Sequence, residues 1–92
     1  MPLETESPAG PHEGVPLVFV WRTTDVPPPY ALVVLDDGYT ELARIDDIGP
    51  MRYVPSSDLA GQLATGGGFH WFVEGSLDGR PTRSPLTRLE IR

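Results

Sequence analysis

The sequence predicts an all-β domain, a seven-stranded antiparallel β-sandwich, from three observations. Segments rich in β-branched and aromatic residues recur roughly every ten residues along the 92-residue chain, a spacing typical of such sandwiches. Glycine and proline contribute 10 and 11 residues, and so many turn formers oppose long helices. No segment repeats its apolar residues with the period of a helix. We therefore treat residues 1–92 as one domain.

The predicted elements follow one another between turn signals. Residues 1–14 are rich in proline and glycine and are expected to be either a loose leader or an edge strand broken by prolines. Ser56 to Leu63 is predicted as a short helical turn capped by Ser56 or Ser57, and residues 77–80 as a hairpin turn. The further strands are predicted over residues 15–21, 30–35, 40–45, 51–55, 69–74 and 86–92.

Charge and composition exclude several classes of partner. Seven arginines, no lysine and thirteen acidic residues give a net charge of −6, so the chain lacks the basic stripe that nucleic acids and anionic membranes require. No apolar run approaches the roughly 20 residues of a membrane span. The chain contains no cysteine, which excludes disulfides and thiolate metal sites.

A run over residues 63–73 combines a leucine, a glycine turn and alternating aromatic residues, and further matches follow the same order elsewhere. The residues are Leu63, Gly66, Gly67, Phe69, Trp71 and Val73, with Trp21, Tyr30, Leu32, Val34, Asp78, Gly79 and Ser84 outside that run. This order resembles a fibronectin type III domain, an immunoglobulin-like sandwich, over about residues 3–92. Phe69 and Thr65 stand where that family has a corner tyrosine and a proline, so the tyrosine's hydroxyl bond is absent.

The variant that the sequence resembles most is bacterial, with tryptophan in the second strand and an aromatic-rich sixth strand. Modules of this kind stand outside the membrane in anti-sigma factors and other envelope proteins. The resemblance implies a non-catalytic interaction or spacer module, extracytoplasmic and part of a longer chain. Because the first strand is predicted to begin near Leu3, Met1 is expected to start an excised domain. A free-standing cytoplasmic adaptor or assembly subunit stays open as an alternative.

A two-residue period assigns each strand residue to a face of its sheet. The inward set is Leu17, Phe19, Trp21, Tyr30, Leu32, Val34, Phe69, Trp71, Val73, Leu89 and Ile91. The outward set is Ala31, Val33, Leu35, His70, Phe72, Leu86, Arg88 and Glu90. In the family that the sequence resembles, the strands of this outward set are neighbours. The outward set therefore predicts an exposed apolar patch rimmed by charge, which usually marks an interaction surface.

The predicted partner-binding residues are Val33, Leu35, His70, Phe72, Arg88 and Glu90. The expected partner is another protein or a second copy of the chain, since unpaired edge strands favour self-association. A carbohydrate-binding module is the alternative, with Phe72, Tyr39 or Tyr53 as the ring on which a sugar stacks.

Catalysis, metal binding and cofactors are not expected. His12 and His70 are isolated, and the pairs Asp36-Asp37 and Asp46-Asp47 lack the spacing of a calcium loop, so they are interpreted as solvated turn residues. The serines have no histidine and carboxylate arranged around them. The glycine run 66–68 has no following lysine and is interpreted as a corner turn rather than a phosphate loop.

Overall fold

The computed structural model describes residues 3–7, 10–12 and 18–91, which form two β-sheets and one short helix. The elements are β1 (Glu4–Ser7), β2 (Gly10–His12), β3 (Phe19–Arg22), β4 (Tyr30–Asp36), β5 (Glu41–Ile48), β6 (Arg52–Tyr53), α1 (Ser57–Leu63), β7 (Gly67–Leu77), β8 (Arg80–Arg83) and β9 (Thr87–Ile91). The β-rich prediction is confirmed. The described residues contain nine strands rather than seven, because the N-terminal segment forms two strands and the hairpin at 77–80 continues into β8.

The smaller sheet has the order β1-β3-β6, and the larger has the order β2-β9-β7-β4-β5, with β8 paired to β7. All these pairings are antiparallel except that of β2 with β9, which is parallel. The predicted antiparallel pairing is therefore confirmed for the other described pairs and is wrong at this edge. Alternation of apolar residues assigns faces but does not distinguish the two pairing directions, so the sequence pattern carried no signal for it.

The inner faces of the two sheets meet in a single core. Every predicted inward residue is buried in this core except Leu17, which lies outside the described residues. The Phe19 and Trp71 rings, one from each sheet, pack edge to face with centroids 5.0 Å apart. Trp21 packs similarly against Tyr30, whose hydroxyl donates to the Val26 carbonyl at 2.8 Å. The arrangement is that expected of a β-sandwich.

The short helix α1 closes one end of this core. As predicted, Ser56 caps it, accepting a hydrogen bond from the Leu59 amide at 3.3 Å, and Leu59 and Leu63 point into the core. Within the described part of the chain, no helix has the length and apolar character needed to cross a membrane.

Ser84 joins β8 and β9 to the central strand β7. Its hydroxyl accepts from the Val73 amide at 2.9 Å, and its own amide donates to the Val73 carbonyl at 2.8 Å. The side chain thus replaces a ladder bond at the point where the chain passes from β8 to β9. Val73, a core residue, keeps both of its backbone groups paired.

The long strand β5 is an edge of the larger sheet in the strand order of the described residues, and it is irregular. Its register with β4 shifts twice, between Tyr30 and Leu32 and between Val34 and Leu35. Charged residues recur along it, among them Arg44 and the Asp46-Asp47 pair. Bulges and charges of this kind disfavour pairing with another strand, so the structure gives no support to a dimer built along β5.

Candidate partner-binding face

The register of the larger sheet brings the predicted binding residues together. Val33 lies opposite Phe72, and Leu35 lies opposite His70 on the neighbouring strands β4 and β7. Arg88 on β9 lies opposite His70 on its other side, and Glu90 follows two residues later on the same face. We call the surface made by Val33, Leu35, His70, Phe72, Arg88 and Glu90 the outer face.

The expectation that the outer face is an exposed apolar patch is wrong. Val33, His70 and Phe72 are 2%, 7% and 9% exposed, although none of them belongs to the core between the sheets. Residues of central strands on the outer side of a sandwich are usually exposed to solvent. Here the alternation assigned the correct face, but it could not show what covers that face.

Arg83 covers Phe72. The guanidinium carbon of Arg83 lies 4.7 Å from the centroid of the Phe72 ring, in cation–π geometry. Arg83 also lies 3.7 Å from the Glu74 carboxylate, which is its cross-strand neighbour. The arginine stem therefore shields the ring while its charged group stays at the surface.

Arg44 extends the same cover from strand β5, where it lies opposite Val33. Its guanidinium donates to Glu74 at 3.2 Å and lies 3.4 Å from Asp46. The hydrogen bond to Glu74 and the nearby carboxylates raise the pKa of Arg44 above its ordinary value. The guanidinium is charged throughout the neutral and mildly alkaline range, as arginine ordinarily is, so this part of the cover persists there.

Tyr39 covers His70. The two rings are stacked, with centroids 4.5 Å apart and planes inclined by 26°. Tyr39 lies in the hairpin between β4 and β5, where Asp36 Oδ1 accepts from the amides of Gly38 and Thr40 at 2.9 and 2.8 Å. The backbone of Tyr39 is left-handed, with φ 64° at a position where such hairpins favour glycine. The side chain is 62% exposed.

Arg88 is held at the edge of the outer face by two carboxylates. Its guanidinium lies 3.5 Å from Asp37 and 3.8 Å from Glu90. The ion pair with Asp37 passes over Gly68, where an added Cβ would lie 2.7 Å from Arg88 Nη2. Glycine at this position thus leaves the space that the ion pair fills.

The residues that cover this face were not among the predicted binding residues. Arg44, Arg83 and Glu74 form its charged cover, and β8, which carries Arg83, was not predicted as a strand. Extending the two-residue alternation through the turn at residues 77–80 would have placed Arg83 opposite Glu74.

The aromatic residues considered for sugar stacking do not share one surface. Tyr53 lies on β6 in the smaller sheet and packs against the core, whereas Phe72 lies beneath Arg83. Tyr39 alone among the three has a largely exposed ring. A stacking role is therefore geometrically open at Tyr39 rather than at Phe72 or Tyr53.

Within residues 3–7, 10–12 and 18–91, no group of three or more histidine, aspartate and glutamate side chains is placed to hold a metal ion. In each predicted Asp pair at least one carboxylate has a protein partner: Asp36 accepts turn amides, Asp37 pairs with Arg88, and Asp46 pairs with Arg44. The side chain of His12 lies outside the described residues. Comparison with known protein families, curated proteins and solved structures finds no match to this chain.

Proposed function

We propose that this chain is a fibronectin type III-like module that binds another protein through its outer face and performs no catalysis. The expected mechanism is surface complementarity. Val33, Leu35 and Phe72 provide apolar area, and Arg88 and Glu90 orient the partner.

The strand order supports the fibronectin type III-like, immunoglobulin-like part of this proposal. Sandwiches of that kind divide their strands so that the first, second and fifth lie in one sheet and the third, sixth and seventh in the other. The order β1-β3-β6 is consistent with the first group, and β4, β7 and β9 are consistent with the second. Leu63 lies fully buried at the corner before β7, as the resemblance predicts.

One observation carries the binding role: the middle of β4 and of β7 is buried on both faces. Residues 30–34 and 69–73 are buried without interruption, although only one face of the larger sheet meets the smaller sheet. Among the described residues, long side chains such as Arg83 and Tyr39 cover the other face. A cover made of side chains can move aside for a partner at far lower cost than a packed backbone layer, which makes this face suited to binding.

Position-specific photocrosslinking in the source cells tests the proposal. A photoreactive phenylalanine analogue replaces Leu86, which is 45% exposed beside the outer face, or Val54, which is 56% exposed near the smaller sheet. We expect a protein adduct from position 86 and little from position 54. The variant Arg88→Glu should reduce the adduct at position 86.

Equal adducts from both positions, or none from position 86, would contradict the proposal. An adduct with twice the mass of the uncrosslinked protein would identify a second copy as the partner. Surface variants are preferred to Phe72→Ser or Val33→Asp, because both of those residues are buried and a loss of binding could then reflect a loss of fold.

The carbohydrate-binding alternative keeps the fold and changes the ligand. An adduct at position 86 whose added mass a glycosidase removes would favour it. A spacer role that needs no partner is the other non-catalytic interpretation, and absence of any adduct at the outer face would contradict binding and favour that role.

The cellular setting stays a proposal that rests on the resemblance to bacterial envelope modules. We propose an extracytoplasmic location as part of a longer protein. Immunoblotting of fractionated source cells checks it: a product in the envelope fraction with a mass well above 10.1 kDa supports this setting. A product near that mass in the cytoplasmic fraction supports the adaptor alternative.

A further inference from the structure

We infer that Tyr39 and the carboxylates around it form a binding site for an arginine side chain of the protein partner. This inference deepens the proposed function, because it names the chemistry that the partner presents to one end of the outer face. An open aromatic ring, the surrounding charge and a comparable contact elsewhere on the same sheet support it.

The Tyr39 ring has one covered face and one open face. His70 stacks on one side at a centroid distance of 4.5 Å, yet the residue as a whole is 62% exposed, so the other side of the ring faces solvent. The stack and the hydrogen bonds of Asp36 to the hairpin amides fix the position of the ring. A ligand that stacks on this ring therefore pays little for ordering it.

The charge around the ring is strongly negative. Asp36, Asp37 and Glu41 lie within three residues of Tyr39 in the hairpin, and Glu90 lies beside Arg88 on β9. Among residues 3–7, 10–12 and 18–91, the guanidinium in this group is that of Arg88, which is directed to Asp37 and Glu90. Within the described part of the chain, these four carboxylates against one guanidinium give the hairpin a field that attracts cations.

A complete example of the inferred contact lies on the same sheet. Phe72 has a guanidinium over its ring at 4.7 Å, and Glu74 holds that guanidinium in place at 3.7 Å. Tyr39 provides the aromatic ring of such an arrangement, and Asp36, Asp37 and Glu41 are the carboxylates of its hairpin. A cation over its open face is the component that a partner would supply.

Arginine fits this site better than lysine or a sugar. The planar guanidinium of arginine stacks on an aromatic face while donating to a carboxylate. The ammonium group of lysine acts on both only as a point charge and has no plane to stack. A neutral sugar can stack on the ring but gains nothing from the excess negative charge. The charge of the hairpin thus favours an arginine-bearing protein segment.

Titration of the isotopically labelled full chain with a capped tri-arginine peptide, followed by NMR, tests the inference. We expect the largest shifts at the amides of Gly38, Tyr39, Thr40 and His70. A tri-citrulline peptide, which has the same shape without the charge, should give no such shifts. Cello-hexaose and chito-hexaose serve as sugar probes.

Two variants separate the ring from the charge. Tyr39→Gly keeps a residue that accepts the left-handed backbone and removes the ring, and it should weaken peptide binding about two- to fivefold. Asp37→Asn should also weaken binding, whereas Asp58→Asn on α1 makes the same change of charge away from the site and should not.

Equal shifts near Asp46, Asp47 and Asp58, unaffected by Tyr39→Gly, would overturn the inference in favour of general electrostatic attraction. Shifts at Tyr39 with a sugar probe but not with tri-arginine would overturn it in favour of a carbohydrate site. The NMR titration and the crosslinking test have independent outcomes. An adduct at position 86 without peptide-induced shifts at Tyr39 overturns the inference and leaves the proposed function standing. Peptide-induced shifts at Tyr39 without an adduct at position 86 contradict the proposed function but not the arginine site.

Discussion

The two faces of the central strands β4 and β7 are both buried, but by different means. On the inner face, Leu32, Val34 and Trp71 pack against the smaller sheet, which is a layer of paired strands. On the outer face, Val33 and Phe72 lie beneath side chains that reach over from neighbouring strands. Residues on the two faces are similarly buried, but the two covers differ in rigidity. The inner face is covered by a β-sheet, whereas the outer face is covered by side chains that can rotate.

The magnitudes support this distinction. A cation–π contact at an exposed site contributes about 0.5–1 kcal/mol, and an exposed ion pair contributes about 0–1 kcal/mol. Opening the cover over Phe72 therefore costs on the order of 1–2 kcal/mol, which a partner can readily repay. Separating the two sheets would instead expose the whole core, which amounts to unfolding the protein.

Adjacent valines give the largest expected contrast between the faces. Val34 points into the core and Val33 points to the outer face, and both are almost fully buried. Val34→Ala should lower the free energy of unfolding by about 2–3 kcal/mol, the sum of lost transfer energy and a cavity that cannot collapse. Val33→Ala should cost only about 1 kcal/mol, because the stem of Arg44 can settle into the space.

Denaturant unfolding of the two variants measures the difference in free energy of unfolding, and the change from valine to alanine is the same in both. A cost for Val33→Ala equal to or above that for Val34→Ala would mean that the outer cover is as rigid as the core. The proposed route for a partner to reach Phe72 would then be closed.

Glycines on β7 provide a second matched pair. Gly75 points to the core, where an added Cβ would lie 2.5 Å from Val26 Cγ1, whereas at Gly68 it would meet the ends of Arg88 and Asp37. Gly75→Ala should destabilise by about 1–3 kcal/mol through overpacking. Gly68→Ala should change stability by less than about 0.5 kcal/mol, since it displaces only an exposed ion pair.

Thermal and denaturant unfolding check both glycine variants. A large loss with Gly68→Ala would show that the Arg88–Asp37 pair is part of the rigid framework. Such a result would also weaken the view that the outer face can rearrange around a partner.

The different covers explain what the sequence could predict. Alternation placed Trp71 and Val73 inward and His70 and Phe72 outward correctly, because a period of two determines which side of a strand each residue occupies. Exposure on the outer side could not be inferred in this way. It depends on side chains from β5, β8 and the hairpin, whose register relative to Phe72 and His70 is set by tertiary structure.

The same limit applies to Ser84 and Tyr39. Ser84 was expected only as a small residue before the last strand, yet its hydroxyl completes the backbone pairing of Val73. Tyr39 was considered only as one of three rings, because its stacking on His70 depends on a left-handed hairpin position that its sequence does not favour.

The framework shared by both faces depends on Ser84. Ser84→Ala leaves the buried Val73 amide without its acceptor and should cost about 1–2 kcal/mol. Ser76→Ala is the matched control. It changes an exposed serine on β7, the strand that contains Val73, and should be nearly neutral. Equal effects of the two variants in denaturant unfolding would show that water or a shifted backbone replaces the Ser84 hydroxyl.

Arg83 gives the smallest expected change in stability and the most direct view of the outer cover. Arg83→Ala removes both the cation and the stem above Phe72, and it should cost about 0.5–1 kcal/mol while increasing the binding of an apolar dye such as ANS. Arg80→Ala, three residues earlier on β8 and therefore on the other face of the strand, should change neither quantity. Arg83→Met, which keeps an apolar stem, should restore most of the stability and suppress the dye signal. If Arg83→Ala binds no more dye than the unaltered chain, Phe72 has another cover, and the outer face is then a second closed layer rather than a surface held ready for a partner.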